Sequence, residues 1–222
     1  MLVSCTTEYN ISGDSSVSTL DGKMFYLKAL TNNEVMLKLD SCEVVHGKFN
    51  FMGMMDSVCM GELYMDNECV MPIVIENGDL SIRINNMEQR VSGGSLNNKL
   101  YRFLGAKSRL ESEILELSDK EASLILSGND PLKVHERLKP QTDKLYNKIE
   151  KLETEFIVSN YDNILGTTYF MMLCNRYPYP VMTTQIKQIL KRTSSKFRKV
   201  PFVREYIQTA ESNMRYLRQQ ND

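Results

Sequence analysis

The chain has 222 residues, 42% hydrophobic and 25% charged, which is a balance that can bury a core or two. Lysine plus arginine (27) nearly matches aspartate plus glutamate (28), so the overall field gives no basis for a nucleic acid or an anionic membrane surface as partner. No stretch approaches the roughly 20 apolar residues with which a helix spans a bilayer.

Taken in order, Leu2-Val3-Ser4-Cys5 matches the end of a bacterial lipoprotein signal: a leucine, a branched and a small residue, then the cysteine that is lipidated. On this reading Cys5 is the lipidation site, and the charged and apolar regions that ordinarily precede it are missing, as though the start were placed too late or the signal trimmed. Residues 1–7 form the lipobox and tether, and the polar run from Thr6 to Ser18 leads into a first edge strand through Tyr9 and Ile11.

From Tyr9 the apolar period is two. Asp21-Gly22 is a turn signal, Met24 to Leu30 a strand, and Thr31-Asn32-Asn33 a turn into Val35 to Gly53. In that stretch Val35, Leu37 and Leu39 alternate with Met36 and Lys38, Asp40-Ser41-Cys42 breaks the run, and His46-Gly47 turns the chain into Lys48 to Phe51, with Gly47 supplying a positive φ. Val58 to Tyr64 and Val70 to Ile75 follow as strands. Asn77-Gly78 then reads as a hairpin with Leu80 to Ile84 as its return, and Gln89 to Ser92 is a last short strand. Short strands with turn residues at this spacing predict an antiparallel sandwich.

Near Gly93-Gly94 the period becomes 3.6. Ser95 is placed to cap a helix whose stripe is Leu96, Leu100, Phe103, Leu104, Leu110, Ile114 and Leu117. Asn129-Asp130-Pro131 supplies a loop, a cap and a proline at N1 for a second helix carrying Leu138, Leu145, Ile149, Leu152 and Phe156, in which Pro140 marks either a kink or the true start. Two such helices predict an antiparallel hairpin. Asp162 to Asn175 is apolar nearly all round and is expected to be buried; Met182 to Leu190 and Pro201 to Leu217 make two more helices. The fold class is therefore α+β with segregated parts: an N-terminal antiparallel β-sandwich (8–93) followed by an all-α helical domain (94–222).

Several of these segments carry a resemblance. Leu39-Asp40-Ser41, Gly47 to Gly53 (GKFNFMG), Pro72 to Gly78 (PIVIENG) and Val91 to Asn97 (VSGGSLN) together resemble the β-sandwich domain of unknown function at the N-terminus of Bacteroidetes thiol-disulfide lipoproteins, and Glu155 to Asn163 is similar to the segment of their helical spacer. The resemblance implies the tether, the sandwich and the spacer. That family's thioredoxin-like domain with its C-x-x-C has no counterpart in this sequence, so no catalytic residue carries over.

Candidate chemistry is sparse. His46 and His135 are the two histidines, and neither stands near a nucleophile or ligand set in the sequence. Cys42, Cys59, Cys69 and Cys174 show no metal-ligand spacing; the first three pair only if two share adjacent strands, free thiols being the simpler reading, and Cys174 belongs to core. Gly93-Gly94-Ser95 could offer N–H groups to an anion, though an interdomain turn and cap suffices. The basic set from Lys187 to Arg204 reads as solvated helix faces, and Met171 and Met172 as helix core. Met52, Met54, Met55 and Asp56 form a group at a strand end where Met54 and Met55 cannot both point inward. With Gly93 and Gly94 they are the candidate interaction surface.

No catalytic residue, metal or cofactor is assigned. The expectation is a non-enzymatic, lipid-anchored protein of the cell envelope, on the periplasmic side or the outer-membrane surface, that binds or scaffolds a protein or glycan and no nucleic acid. The alternative is an accessory of a periplasmic thiol-disulfide oxidoreductase system.

Overall fold

The computed structural model describes residues 7–30 and 36–219. Cys5, the turn at Thr31-Asn32-Asn33 and Val35 lie outside the described residues. Among the described residues, eight strands precede six α-helices: β1 (Thr7–Ser15), β2 (Met24–Leu30), β3 (Met36–Glu43), β4 (Lys48–Met55), β5 (Cys59–Met65), β6 (Glu68–Ile75), β7 (Gly78–Ile84), β8 (Gln89–Ser92), then α1 (Ser95–Leu126), α2 (Pro131–Ser159), α3 (Ile164–Cys174), α4 (Thr184–Arg192), α5 (Ser195–Arg198) and α6 (Pro201–Gln219). The chain forms two compact units, residues 1–102 and 103–222, so the opening residues of α1 belong with the strands.

In the first unit the strands form two four-stranded sheets, ordered β4-β1-β7-β8 and β3-β2-β5-β6. Alternate residues of both sheets meet in one core, with Ile11, Phe25, Leu27, Phe51, Leu63 and Ile73 among its fully buried members and Phe25 set edge-on to Phe49 at 4.8 Å. Among the described residues every strand pair is antiparallel except one. β1 runs parallel to β7, with Ile11 facing Leu80 and Gly13 facing Ile82.

That exception corrects two expectations. β1 is an inner strand with β4 and β7 as neighbours, not an edge. Asn77-Gly78 is not a hairpin, because it carries the chain from β6 in one sheet to β7 in the other. The backbone gives the reason: a two-residue primed turn needs positive φ at its first position, and in type I′ at both. His46 and Gly47 have it, at 51° and 72°, and close Val45 onto Lys48 through a pair of main-chain bonds of 2.9 and 3.0 Å. At Asn77-Gly78 only the glycine has positive φ. A strand delivered across layers is freed from hairpin direction and can pair in parallel.

β3 departs from strict alternation. The register slips between Leu27 and Lys28, whose partners are Asp40 and Lys38, so Leu39 is the extra residue of a bulge. Asp40-Ser41-Cys42 therefore stay in the strand, and Leu37, opposite the buried Ala29, is left 53% exposed on this edge strand.

The free edge of β6 is closed by the start of α1. The buried Asn97 accepts from the Val74 N–H at 2.9 Å and donates to its carbonyl at 2.7 Å, as a neighbouring strand would, and Tyr101 donates to the Pro72 carbonyl at 2.7 Å. Pro72 lacks an N–H and suits this edge. The buried Glu76 carboxylate accepts from the Leu96 and Asn97 N–H groups, at 3.1 and 2.9 Å, and from the Asn97 side-chain amide at 3.0 Å. The donors at the head of α1 are thus satisfied by Glu76.

In the second unit α1 and α2 form the antiparallel hairpin. Phe103 stacks on Phe156 at 4.0 Å, Lys107 reaches Glu153 at 3.1 Å, and Glu121 meets His135 at 3.1 Å, pairs whose numbers rise on one helix as they fall on the other. Asp130 caps α2 by accepting from Leu132 and Lys133 N–H, with Pro131 at the first position; Pro140 lies inside the helix, so it does not mark the start. α3 turns Phe170, Leu173 and Cys174 into a core with Ile186, Phe197 and Val203, while Met172 on its outer side is exposed, contrary to a wholly buried helix.

Glu153 is buried between two cations. Burial opposes its ionisation, but the Arg176 fork at 2.6 and 2.8 Å and the Lys107 ammonium outweigh it and hold the carboxyl below the ordinary glutamate range. Its stabilising effect is present above that range and is lost as pH falls through the lowered folded value. Urea unfolding should therefore show a stability loss below about pH 4 that is smaller in Glu153→Gln. In the first unit, Glu76→Ala should lower stability by about 2–4 kcal/mol in the same assay, because it leaves buried N–H donors of α1 without an acceptor.

Candidate functional site

Alternation along β4 places Lys48, Asn50, Met52 and Met54 on the outer face of its sheet and Phe49 and Phe51 in the core. Pairing sets Met52 opposite Asn10 and Met54 opposite Glu8 on β1, and Asn10 in turn opposite Asp79 on β7. The outer face is thereby ordered in rows. At one end Lys48, Asp14, Arg83 and Arg90 follow one another across the four strands; then come Asn50, Ser12, Ser81 and Ser92; then Met52, Asn10 and Asp79. Charge gives way to hydroxyls and amides, and these to thioethers.

At the thioether end an open groove of about 490 Å³ runs over β4, β1 and the start of β7. Met52 and Met54 flank it, 66% and 69% exposed, and Glu8 and Asp79 supply carboxylates on the other strands. Asn10 donates to the Asp79 carboxylate at 2.9 Å, which fixes the middle of the floor. Beneath it lies Tyr9, buried, with its phenol tucked under Gly53: a Cβ on Gly53 would come within 2.5 Å of the Tyr9 hydroxyl oxygen. Burial and the nearby Asp40 charge push the Tyr9 phenol up, so it stays neutral. Glycine between the two methionines lets the ring seat and keeps both thioethers on the outer side.

The structure separates the other residues of the predicted surface. Met55 points the opposite way from Met54 and packs against the core, in agreement with the argument that the two cannot share a face. Asp56 follows on the exposed connection to β5. Gly93 adopts φ of +109° where its backbone crosses close to the Asp79 carbonyl, so it stands beside the row that holds Met52. Gly94 is buried, and the space a side chain would need there is taken by the Glu76 carboxylate. The anion that a helix start could attract is therefore the protein's own. Nothing in the sequence marked Glu76 for this part, since it lies about 20 residues upstream of the donors; the one available signal was an acidic residue in an otherwise apolar strand end.

The histidines stand in different units, His46 in the exposed primed turn and His135 against Glu121 on the hairpin. Cys42, Cys59, Cys69 and Cys174 are free thiols. Burial raises the Cys59 thiol; burial and the Glu62 carboxylate push Cys69 up to about 11; burial pushes Cys174 up to about 12. Thiol-disulfide exchange runs on thiolate, so none of these three is poised for it near neutral pH. Cys69 is exposed and makes this measurable: its alkylation by iodoacetamide at pH 8 should be about tenfold or more slower than that of a free cysteine peptide, rising steeply above about pH 10.

A comparison with curated proteins found no match. Residues 9–101, from the third residue of β1 past β8 to the tyrosine that ties α1 to Pro72, match the family described as a domain of unknown function (DUF4369).

Proposed function

We propose that this chain is a non-enzymatic binding or scaffolding module, held to the cell envelope by a lipid on Cys5, and that it takes its partner at the β4–β1–β7 groove. The observation that carries this reading is the pair Met52 and Met54, two large apolar side chains exposed on one strand face. Folded monomers rarely leave such groups side by side over a groove without a use, and unbranched thioethers adapt to a partner's shape. Carboxylates of Glu8 and Asp79 and the Asn10 amide provide directional contacts beside them. A protein segment or a glycan fits this mixture of thioethers, carboxylates and an amide. Leu2-Val3-Ser4-Cys5 supports the anchor.

Affinity capture from the native envelope with the wild-type chain and with a Met52→Asp, Met54→Asp variant tests the surface. A partner recovered by the wild type should fall by about tenfold or more with the variant, in line with loss of central apolar anchors. The same partners at the same yield from both would discard the groove. For the anchor, cells given a fatty-acid analogue should label the wild type and not Cys5→Ala.

A further inference from the structure

The hairpin of the second unit has two unlike flanks. Its seam is built on α1 from Phe103, Lys107, Leu110, Ile114, Leu117, Glu121 and Leu124, recurring at alternating spacings of four and three, and these positions are buried or half-buried. At 100° per residue, Leu115 and Ala122 fall to one side of that seam on α1, and Leu132 and Tyr146 to the same side on α2. Leu115, Leu132 and Tyr146 are 63%, 76% and 57% exposed. The other side carries Arg109, Glu113 and Glu116 on α1 and Arg137, Lys144 and Lys148 on α2, all exposed. The exposed side chains of that flank are therefore mostly charged, as on a solvated face. The opposite one bears the apolar groups.

A groove of about 410 Å³ lies on that apolar flank, with Ile114 on one wall and Tyr146 and Ile149 on the other. Its closed end is made by the chain itself. Tyr169 of α3 sits edge-on to both Phe103 and Phe156, at 5.1 and 5.0 Å, and Arg176, just beyond α3, grips Glu153. α3 thus occupies the place of a third helix at the base of the hairpin and ends there, while the surface it packs on continues. The rim of the continuation is acidic. Glu111, Glu136, Asp143 and Glu150 stand around it; Lys107 and Arg176 in the groove are held by Glu153, Lys107 also reaches Glu111 at 3.5 Å and Lys139 pairs with Asp143 at 2.8 Å, which leaves Glu136 and Glu150 as the excess of negative charge.

We propose that this flank receives an amphipathic helix of a partner protein, its apolar stripe rimmed by lysine and arginine, laid in line with α3. A second copy of this chain would bring the same acidic rim against itself, and like charges oppose that pairing. A basic helix meets both features, the stripe filling the groove and its cations the rim. This surface is separate from the β4–β1–β7 groove and does not depend on it.

The test uses the full chain and synthetic helices of three heptads with leucine at the a and d positions, one with lysine and one with glutamate at the flanking positions, followed by fluorescence anisotropy. The lysine peptide should bind, more weakly as salt rises, and the glutamate peptide should not. Leu115→Lys with Tyr146→Lys should weaken binding by roughly tenfold or more, while Lys144→Ala on the charged flank should not weaken it. Both altered side chains are exposed, and an unchanged melting curve shows that the variant folds. Equal binding of the two peptides, no binding of the lysine peptide, or indifference to the double variant would overturn the proposal. Sedimentation decides the self-association case: a wild-type dimer that the double variant dissolves would assign the flank to a second copy instead.

Discussion

The buried Glu76 carboxylate is the contact on which the first unit depends. It lies where the chain leaves one sheet for the other, and it binds the N–H donors at the head of α1, whose first two turns close the edge of β6 through Asn97 and Tyr101. One carboxylate therefore fixes a crossover, a helix start and a sheet edge. Each of these would otherwise leave main-chain groups without partners in a place that water reaches poorly. The same arrangement explains why the family match runs past the last strand: the domain is complete only when the helix start is in place.

The second unit is held by a comparable device. Three aromatic rings, Phe103, Phe156 and Tyr169, bring three helices together, and the Glu153 carboxylate receives Arg176 and Lys107 beside them. A buried carboxylate with two cations is costly to desolvate, so its worth lies in register more than in stability: it sets where α3 ends along the hairpin. Beyond that point only two helices remain, and two helices cannot bury all of their own apolar surface.

Both surfaces with unspent apolar groups share a logic. On the sheet, alternation sends Phe49 and Phe51 inward and leaves Met52 and Met54 outside; on the hairpin, the seam consumes one stripe and leaves Leu115 and Tyr146 on a flank. In each case the local period is satisfied and apolar residues remain. Residues that break a pattern without a packing reason are where an interaction surface is to be sought.

By itself the sequence determined what depends on neighbours along the chain. The change from a period of two to one of 3.6 near Gly93, the cap and proline at Asp130-Pro131, and the opposed directions of Met54 and Met55 are consequences of backbone geometry over a few residues, and they were legible. Tertiary structure alone decided the rest. Asn77-Gly78 has the composition of a hairpin and became a crossover, because pairing with β1 in the far sheet buries Leu80 and Ile82. The bulge at Leu39 kept Asp40-Ser41-Cys42 in the strand, and Glu76 became the cap of a helix far along the chain. Such outcomes turn on which distant segment supplies the hydrogen-bond partner, and no local pattern of residues encodes that choice.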